Sequence, residues 1–321
     1  MSDPTPTCIV HLVRAANGPV PFGDFLTALR AHPPGTDFEL VLAMKGFADR
    51  ETARPYLELA RELAPRALFF SDEGLDIGVY FRAAAELQRA RYCFLNSYSE
   101  PPVSGWLARL EQALAQSGTG LAGASGSWAS ARSWTLHALG LPSAYRGVLP
   151  PRAIARAQFL ALEEEVAQGP ARRPRLARLR ALPGLAEALL CYQGFPAQHM
   201  RTNAFMVSHE VLERLRVPAV DAKRDAYRFE HGRRGLTRQV QGLGLRTVVV
   251  DRDGLAHEPA RWYLSRTFWQ GEQEALLVAD NQTRRYERGD ADRRRLLARF
   301  AWGSKAEPVG GAQPVPESSL A

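Results

Sequence analysis

The chain of 321 residues is 45% hydrophobic and 23% charged, ordinary globular values that exclude wholesale disorder and collagen-like repeats. Its 41 lysines and arginines against 34 aspartates and glutamates leave a net charge of +7, a balance that suits phosphate-bearing or polyanionic partners without naming one. The cysteines, Cys8, Cys93 and Cys191, are far apart and form no C-x-x-C pair, so neither a disulfide framework nor a zinc cluster is expected and each reads as a buried structural thiol. The opening MSDPTPT has no basic region leading into an apolar stretch, and no apolar run approaches the ~18 residues of a membrane span. A reducing cytoplasm is the expected compartment.

In chain order, CIVHLV (8–13) is an apolar, β-branched run that ends at Asn17-Gly18-Pro19 and reads as a buried strand. Phe22, Phe25, Leu26 and Leu29 then recur at helical spacing until Pro33-Pro34-Gly35 stops the helix. The alternation continues with a strand at 38–44, a helix at 52–63, a strand at 67–70, a helix at 79–90 and a strand at 92–95. A helix at 106–115 and a strand at 121–124 complete it. Strands alternating with helices of this length imply crossovers and a mostly parallel α/β sheet. Such sheets bind ligands at the carboxyl ends of their strands, which directs attention to Arg14, Lys45, Asp72 and the segment Asn96 to Glu100.

The regularity breaks between Pro142 and Gln198, where a helix is expected around 153–167 beside the arginine-rich stretch ARRPRLARLR (171–180). Those arginines read as a solvated helical face; a patch for nucleic acid or an anionic membrane surface is the alternative. No aromatic residue interleaves with them, which argues against a single-strand stacking platform. The sheet pattern returns with a strand at 203–207, a helix at 210–215, a helix at 236–241 and a strong strand at 246–250. Length alone equals about two average domains, yet the interrupted alternation is better read as a single domain over 1–302. In that reading 142–198 is a helical insertion, and the Gly-, Pro- and Ser-rich residues 303–321 are a disordered tail.

Literal motifs are mostly decoys. Gly118-Thr-Gly120-Leu-Ala-Gly123 satisfies G-x-G-x-x-G, but it leaves a helix and enters a strand, the reverse of a dinucleotide fingerprint. Gly123-Ala-Ser125-Gly-Ser127 misses the nucleophile elbow, because a serine stands at the second glycine. No P-loop and no H-E-x-x-H occurs.

Five segments, taken in order, say more: YCFLNSYSEPPVSGWLARL (92–110), GLAGASGSWASARSW (120–134), HMRTNAF (199–205), DAYRFEHGRRGLTRQV (225–240) and TFWQGEQEALLVADNQTRRY (267–286). Together they resemble a GT-A-type glycosyltransferase of the family-2 kind, and more closely a bacterial group of glycosyltransferase-like proteins. The likeness covers Cys8 to about Ala131 and Met200 to His257. It implies a GT-A, Rossmann-like sheet and transfer of a sugar from a nucleotide-diphosphate donor to an acceptor hydroxyl. That acceptor would be a saccharide, a lipid-linked saccharide or a protein, with peripheral contact at the inner membrane face for the lipid-linked case.

The family holds a divalent cation, Mn²⁺ or Mg²⁺, against the donor diphosphate through an Asp-x-Asp at the end of the fourth strand. Here Asn96-Ser97-Tyr98-Ser99-Glu100 occupies that place and both aspartates are missing. Neutral oxygens are weaker ligands than carboxylates. Either Glu100 compensates, or cationic side chains take over the neutralising task. Asn96, Ser97 and Ser99 would then line the diphosphate loop, and Arg14, Lys45 and Asp72 would surround the nucleotide. The Asp251-Arg-Asp253-Gly254 sequence reads as a turn, and His257 stands where the family often has a late histidine ligand for the cation.

For the acceptor side, the resemblance makes Glu230 the base that deprotonates the hydroxyl for direct displacement with inversion. His231 stands where the family often has a second acid, and either side chain is a candidate proton acceptor. Arg233 and Arg234 follow as candidates for charge-assisted bonds to donor phosphates. Arg201, Asn203 and Trp269 are candidates for the acceptor pocket. Two other readings stand beside this one: a sugar-nucleotide-binding protein of the same fold without transfer chemistry, and a basic protein that binds nucleic acid or a membrane surface.

Overall fold

The computed structural model describes residues 7–72, 76–149, 182–217 and 223–308. The arginine-rich stretch at 171–180 and the helix expected around 153–167 lie outside them.

The first strand, β1 (Thr7–Arg14), is buried along both faces. Cys8, Val10 and Leu12 join one core cluster while Ile9 and Val13 join another, the period-2 alternation of a strand covered on both sides. β2 (Phe38–Lys45), β3 (Arg66–Phe70) and β4 (Arg91–Leu95) follow. β1 pairs in parallel with β2 and with β4, and β2 pairs in parallel with β3.

Helices α1 (Val20–Ala31), α2 (Arg50–Leu59) and α4 (Trp106–Ala115) cover one face through Phe25, Tyr56 and Trp106. The intervening α3 (Asp76–Leu87) covers the other through Ile77, Tyr80 and Leu87. Helix α2 starts two residues earlier than its apolar spacing predicts, because Asp49 caps it, accepting from the Thr52 N–H at 2.8 Å in a capping box. The α/β class expected of the chain, a mostly parallel sheet flanked by helices, is the one observed.

The second half departs from a purely parallel plan. After β5 (Thr119–Gly123) the chain makes a long excursion and returns as β8 (Ala204–Ser208), which runs antiparallel between β4 and β5. β9 (Arg246–Val250) extends β5 in parallel, and the two-residue β10 (Ala256–His257) closes that edge antiparallel. The full order is β10-β9-β5-β8-β4-β1-β2-β3.

A separate ribbon pairs β6 (Gly126–Ser127) with β7 (His199–Met200), setting Ser127 opposite His199. Two glycines make this crowding possible. A Cβ on Gly123 would collide with the Met200 side chain, and one on Gly126 would lie 2.6 Å from the Trp262 ring. That is the structural reason for Gly123, which sequence matching had placed in a dinucleotide motif.

Within 182–191, part of the expected insertion, the chain is helical. Residues 303–308, assigned to the tail by composition, pack back on the domain. Gln270 Nε2 donates to the Lys305 carbonyl at 2.8 Å, and the Glu307 N–H donates to Gln270 Oε1 at 3.1 Å. Among the described residues no helix is long and apolar enough to cross a membrane.

Candidate functional site

The strand ends bring three of the expected residues together. Arg14 and Lys45 are the last residues of β1 and β2, and Asp72 follows β3 by two positions. Asp72 Oδ1 lies 3.2 Å from Arg14 Nε and 3.3 Å from Lys45 Nζ. The Arg14 hydrogen bond, with Lys45 adding to it, holds the Asp72 carboxyl below its ordinary range. Lys45 is buried, only 1% of its side chain exposed, with this ion pair as its charge partner. Asp76, at the start of α3, lies in the same field. Burial pushes its carboxyl up against the pull of Lys45 and Arg14.

A cavity of about 570 Å³ opens beside Arg14 and Asp76, within the usual size range of small-molecule sites. β7 and the helix Lys223–His231 add His199, Tyr227, Glu230 and His231 to its lining. Ser127, Thr202 and the aromatic side chains of Phe268, Trp269 and Phe300 complete the lining used below. The pairing of β6 with β7 and the final turn of the 223–231 helix thus carry residues 32 positions apart in sequence into one cluster.

In that cluster Glu230 Oε1 lies 3.2 Å from His231 Nε2, and the Thr202 hydroxyl donates to Glu230 Oε2. His199 Nδ1 meets the Ala197 carbonyl at 2.7 Å. The His199 and His231 rings are 3.8 Å apart between centroids, and His231 stacks on Tyr227 at 4.0 Å. Burial opposes the Glu230 charge, but the His231 hydrogen bond and charge, with His199 and Thr202, outweigh it and bring the carboxyl down to about 2. Burial, helped by the neighbouring His231, lowers His199 to about 3 and keeps its ring neutral. Both groups therefore hold lone pairs at neutral pH.

The loop where the resemblance locates a cation is built differently. Asn96 Oδ1 accepts from the Tyr98 N–H at 2.9 Å and lies 3.0 Å from the Ser99 hydroxyl, which donates to the Asn203 carbonyl at 2.7 Å. Ser97 is buried, and Glu100 pairs with Arg284 at 2.7 Å. Burial pushes the Glu100 carboxyl up, against the opposing Arg284 charge. Arg201 reaches Asp280 Oδ2 at 2.6 Å and Ser125 Oγ at 3.2 Å, with its guanidinium 4.0 Å from the Phe268 ring centroid. Asn203 Oδ1 accepts from Ser125 at 2.8 Å. The oxygens of Asn96, Ser99 and Glu100 are engaged by the chain itself, so this loop does not fit a family-type cation.

Of the remaining expectations, Arg201 and Trp269 line the cavity, while Asn203 stands behind it in the network just described. Arg233 and Arg234 are exposed and outside the cavity lining, with Arg233 Nε donating to the Tyr192 carbonyl at 3.1 Å. His257 Nε2 lies 2.8 Å from Asp251 Oδ2 on the β9–β10 edge, also outside the lining. Asp251 Oδ1 accepts from the Asp253 and Leu255 N–H groups, the turn expected there. The sequence points to Thr202 only as the middle of Arg201-Thr202-Asn203 and to Ser127 only in the failed elbow motif, and it does not mark His199, Asp76 or Tyr227. The only local signal for His199 was its place at the head of HMRTNAF.

No family model matches the chain, and no curated protein matches it. Solved structures do match in part. TarS of S. aureus is 12% identical over 36% of this chain and 21% of that one, with a TM-score of 0.30. Glucosyl-3-phosphoglycerate synthase of Mycobacterium tuberculosis, solved with Mn²⁺, UDP and phosphoglyceric acid, is 14% identical over 68% of this chain and 61% of that one, at 0.35. A mannosyltransferase of Pyrobaculum calidifontis, solved with GDP-Man and Mn²⁺, is 16% identical over 59% of this chain and 75% of that one, at 0.31. The chain thus spans about a fifth of the length of TarS and under two thirds of the mycobacterial enzyme. Likeness at these TM-scores carries no argument about substrate, cation or mechanism.

Proposed function

We propose that the chain is a GT-A-like glycosyltransferase that moves a sugar from a nucleotide-diphosphate donor to an acceptor hydroxyl, with Glu230 as the base. One observation carries the reading. One cavity is lined both by the partly buried Glu230 carboxylate, held ionised beside His231, and by the Arg14 guanidinium, with the Lys45 ammonium paired to Asp72 next to Arg14. A carboxylate and cations around one cavity suit a reaction that removes a proton and releases an anionic leaving group.

In the proposed step the acceptor oxygen attacks the anomeric carbon as its proton passes to Glu230. The bond from that carbon to the diphosphate breaks, and its electron pair leaves with the diphosphate toward Arg14 and Lys45. A carboxylate near 2 is a weak base, so the proton moves only as the new carbon–oxygen bond acidifies the hydroxyl. Displacement in one step inverts the anomeric centre. The exposed Tyr227 ring and the Trp269 side chain in the lining offer aromatic surface for the sugars. Arg14 and Lys45, rather than the exposed Arg233 and Arg234, carry the neutralising role.

A second reading has its own support. The closed hydrogen bonding of Asn96, Ser99 and Glu100 suits a protein that binds a sugar nucleotide without transferring the sugar. Thermal shift against a panel of nucleoside diphosphates and their sugars, with and without Mn²⁺, tests both readings. Stabilisation by a nucleotide is expected. Glu230→Gln should keep that response while lowering transfer by about 10²- to 10⁴-fold. No nucleotide response overturns both readings. Transfer undiminished in the variant removes Glu230 as base, and binding without turnover in the unmodified chain selects the second reading.

A further inference from the structure

We propose that His199, Glu230 and His231 form a binding site for a single divalent transition-metal ion of the zinc class, with one coordination position open to the cavity. One ligand atom from each side chain lies within 4.8 Å of the other two, and this is the one such group found among the described residues. Bonds of about 2.0–2.1 Å in a tetrahedron separate neighbouring ligand atoms by roughly 3.4 Å. The contact between Glu230 Oε1 and His231 Nε2, at 3.2 Å, already has that length. His199 supplies the third ligand atom within the same 4.8 Å and reaches bonding distance when its ring turns away from the His231 ring, now 3.8 Å off between centroids.

The surroundings are those of ligands held in place. A metal-bound histidine usually donates its other ring N–H to a carbonyl or carboxylate, which fixes the tautomer and aims the free nitrogen. His199 does this through Nδ1 and the Ala197 carbonyl at 2.7 Å, leaving Nε2 as the ligand. The Glu230 carboxylate is oriented by the Thr202 hydroxyl on Oε2, leaving Oε1 toward His231. The His231 ring is fixed by stacking on Tyr227, and its buried Nδ1 has no hydrogen-bond partner among the described residues. Two imidazoles and one carboxylate carry a single negative charge, which a divalent ion more than offsets.

Donor chemistry selects the ion. Mg²⁺ and Ca²⁺ prefer oxygen ligands throughout, whereas two imidazole nitrogens suit zinc and its neighbours. Three protein ligands facing a cavity describe a site that keeps a fourth position for water or for an oxygen of a bound molecule, unlike a closed structural site. The inference goes beyond glycosyl transfer and does not rest on it. A cation on Glu230 competes with a proton for the same carboxylate, so the loaded and empty sites differ in chemistry and the two claims can be tested apart.

The test uses the full chain, stripped with a chelator, and titrated with Co²⁺ under visible spectroscopy and with Zn²⁺ by calorimetry. One ion per chain is expected, with the visible bands of Co²⁺ in a nitrogen- and oxygen-ligated site. Glu230→Gln, His199→Gln and His231→Gln, each checked for native circular dichroism, should weaken Zn²⁺ binding by about 10-fold or more. Absence of binding by the unmodified chain overturns the proposal, as does Zn²⁺ affinity that the natively folded variants retain. A chain that binds Zn²⁺ but gives no nucleotide response loses the transfer reading and keeps this one.

Discussion

Two polar clusters stand within a few residues of each other and are built on opposite plans. In the first, Asn96, Ser99, Glu100, Arg201 and Asn203 bond to Ser125, Asp280 and Arg284, and among the described residues Asn203 Nδ2 and Arg284 Nη1, the latter ion-paired with Glu100, are the buried atoms of this group without a hydrogen bond. In the second, His199, Glu230 and His231 converge on a cavity, and Thr202 and Ala197 hold them from behind. The first sits where family resemblance directs attention, and the second where lone pairs remain for a ligand. Buried donors and acceptors that bond to one another leave nothing for a ligand, whereas those that line a cavity can still engage one.

The largest expected effect tests whether the first cluster is structural. Asp280→Ala strands a buried Arg201 guanidinium and removes the cap on the helix Asn281–Glu287. Breaking such a pair should lower stability by about 3–5 kcal/mol, read by chemical denaturation. A loss below about 1 kcal/mol would mean that the network is no more closed than a surface contact.

A buried histidine outside both clusters sharpens the contrast. Among the described residues His11 has no hydrogen-bond partner on either ring nitrogen; it stacks on Phe25 at 3.8 Å, and burial lowers it from 6.5 to about 3. The folded state therefore binds this proton less readily than the unfolded chain. His11 makes stability fall as pH drops from 6.5 toward 3, and the contribution is fully present only above 6.5. His11→Leu, which keeps an apolar side chain against Phe25, should gain roughly 2 kcal/mol on the unmodified chain between pH 7 and pH 5. Parallel denaturation curves at both pH values would refute the assignment.

The smallest effect concerns the motif itself. Asn96→Asp returns one carboxylate to the loop, yet its oxygen would still accept from Tyr98 and meet Ser99. Stability should move by less than about 0.5 kcal/mol, and Mn²⁺ titration should detect no added site. Acquired Mn²⁺ binding would show that the loop is open after all and erase the distinction between the clusters.

The first half of the fold was legible because its strands are apolar runs stopped by Gly and Pro. The helix at 106–115 and the strand at 246–250 keep their expected bounds. The direction of β8 was not legible, since an apolar run carries no polarity. β6 and β7, two residues each, leave no periodic trace. Arg14, Lys45 and Asp72 could be read together because strand ends converge by topology. His199 and His231 could not, because only the ribbon and the packing of the 223–231 helix bring them together.

The antiparallel β8 also imposes an order of assembly. β4 and β5 never bond to each other, and β8 alone joins β3-β2-β1-β4 to β5-β9-β10. Until residues 204–208 arrive, the nascent chain presents the β3-β2-β1-β4 sheet with an open edge at β4 and a β5 with no sheet partner, the kind of edge that invites wrong pairing with another chain. Ribosomes stalled before Ala204 should therefore yield aggregation-prone chains, and those stalled well beyond Val250 should not. The strand that fills the sheet's middle begins two residues after Thr202, so the segment that joins the two parts of the sheet also delivers a residue of the cavity lining.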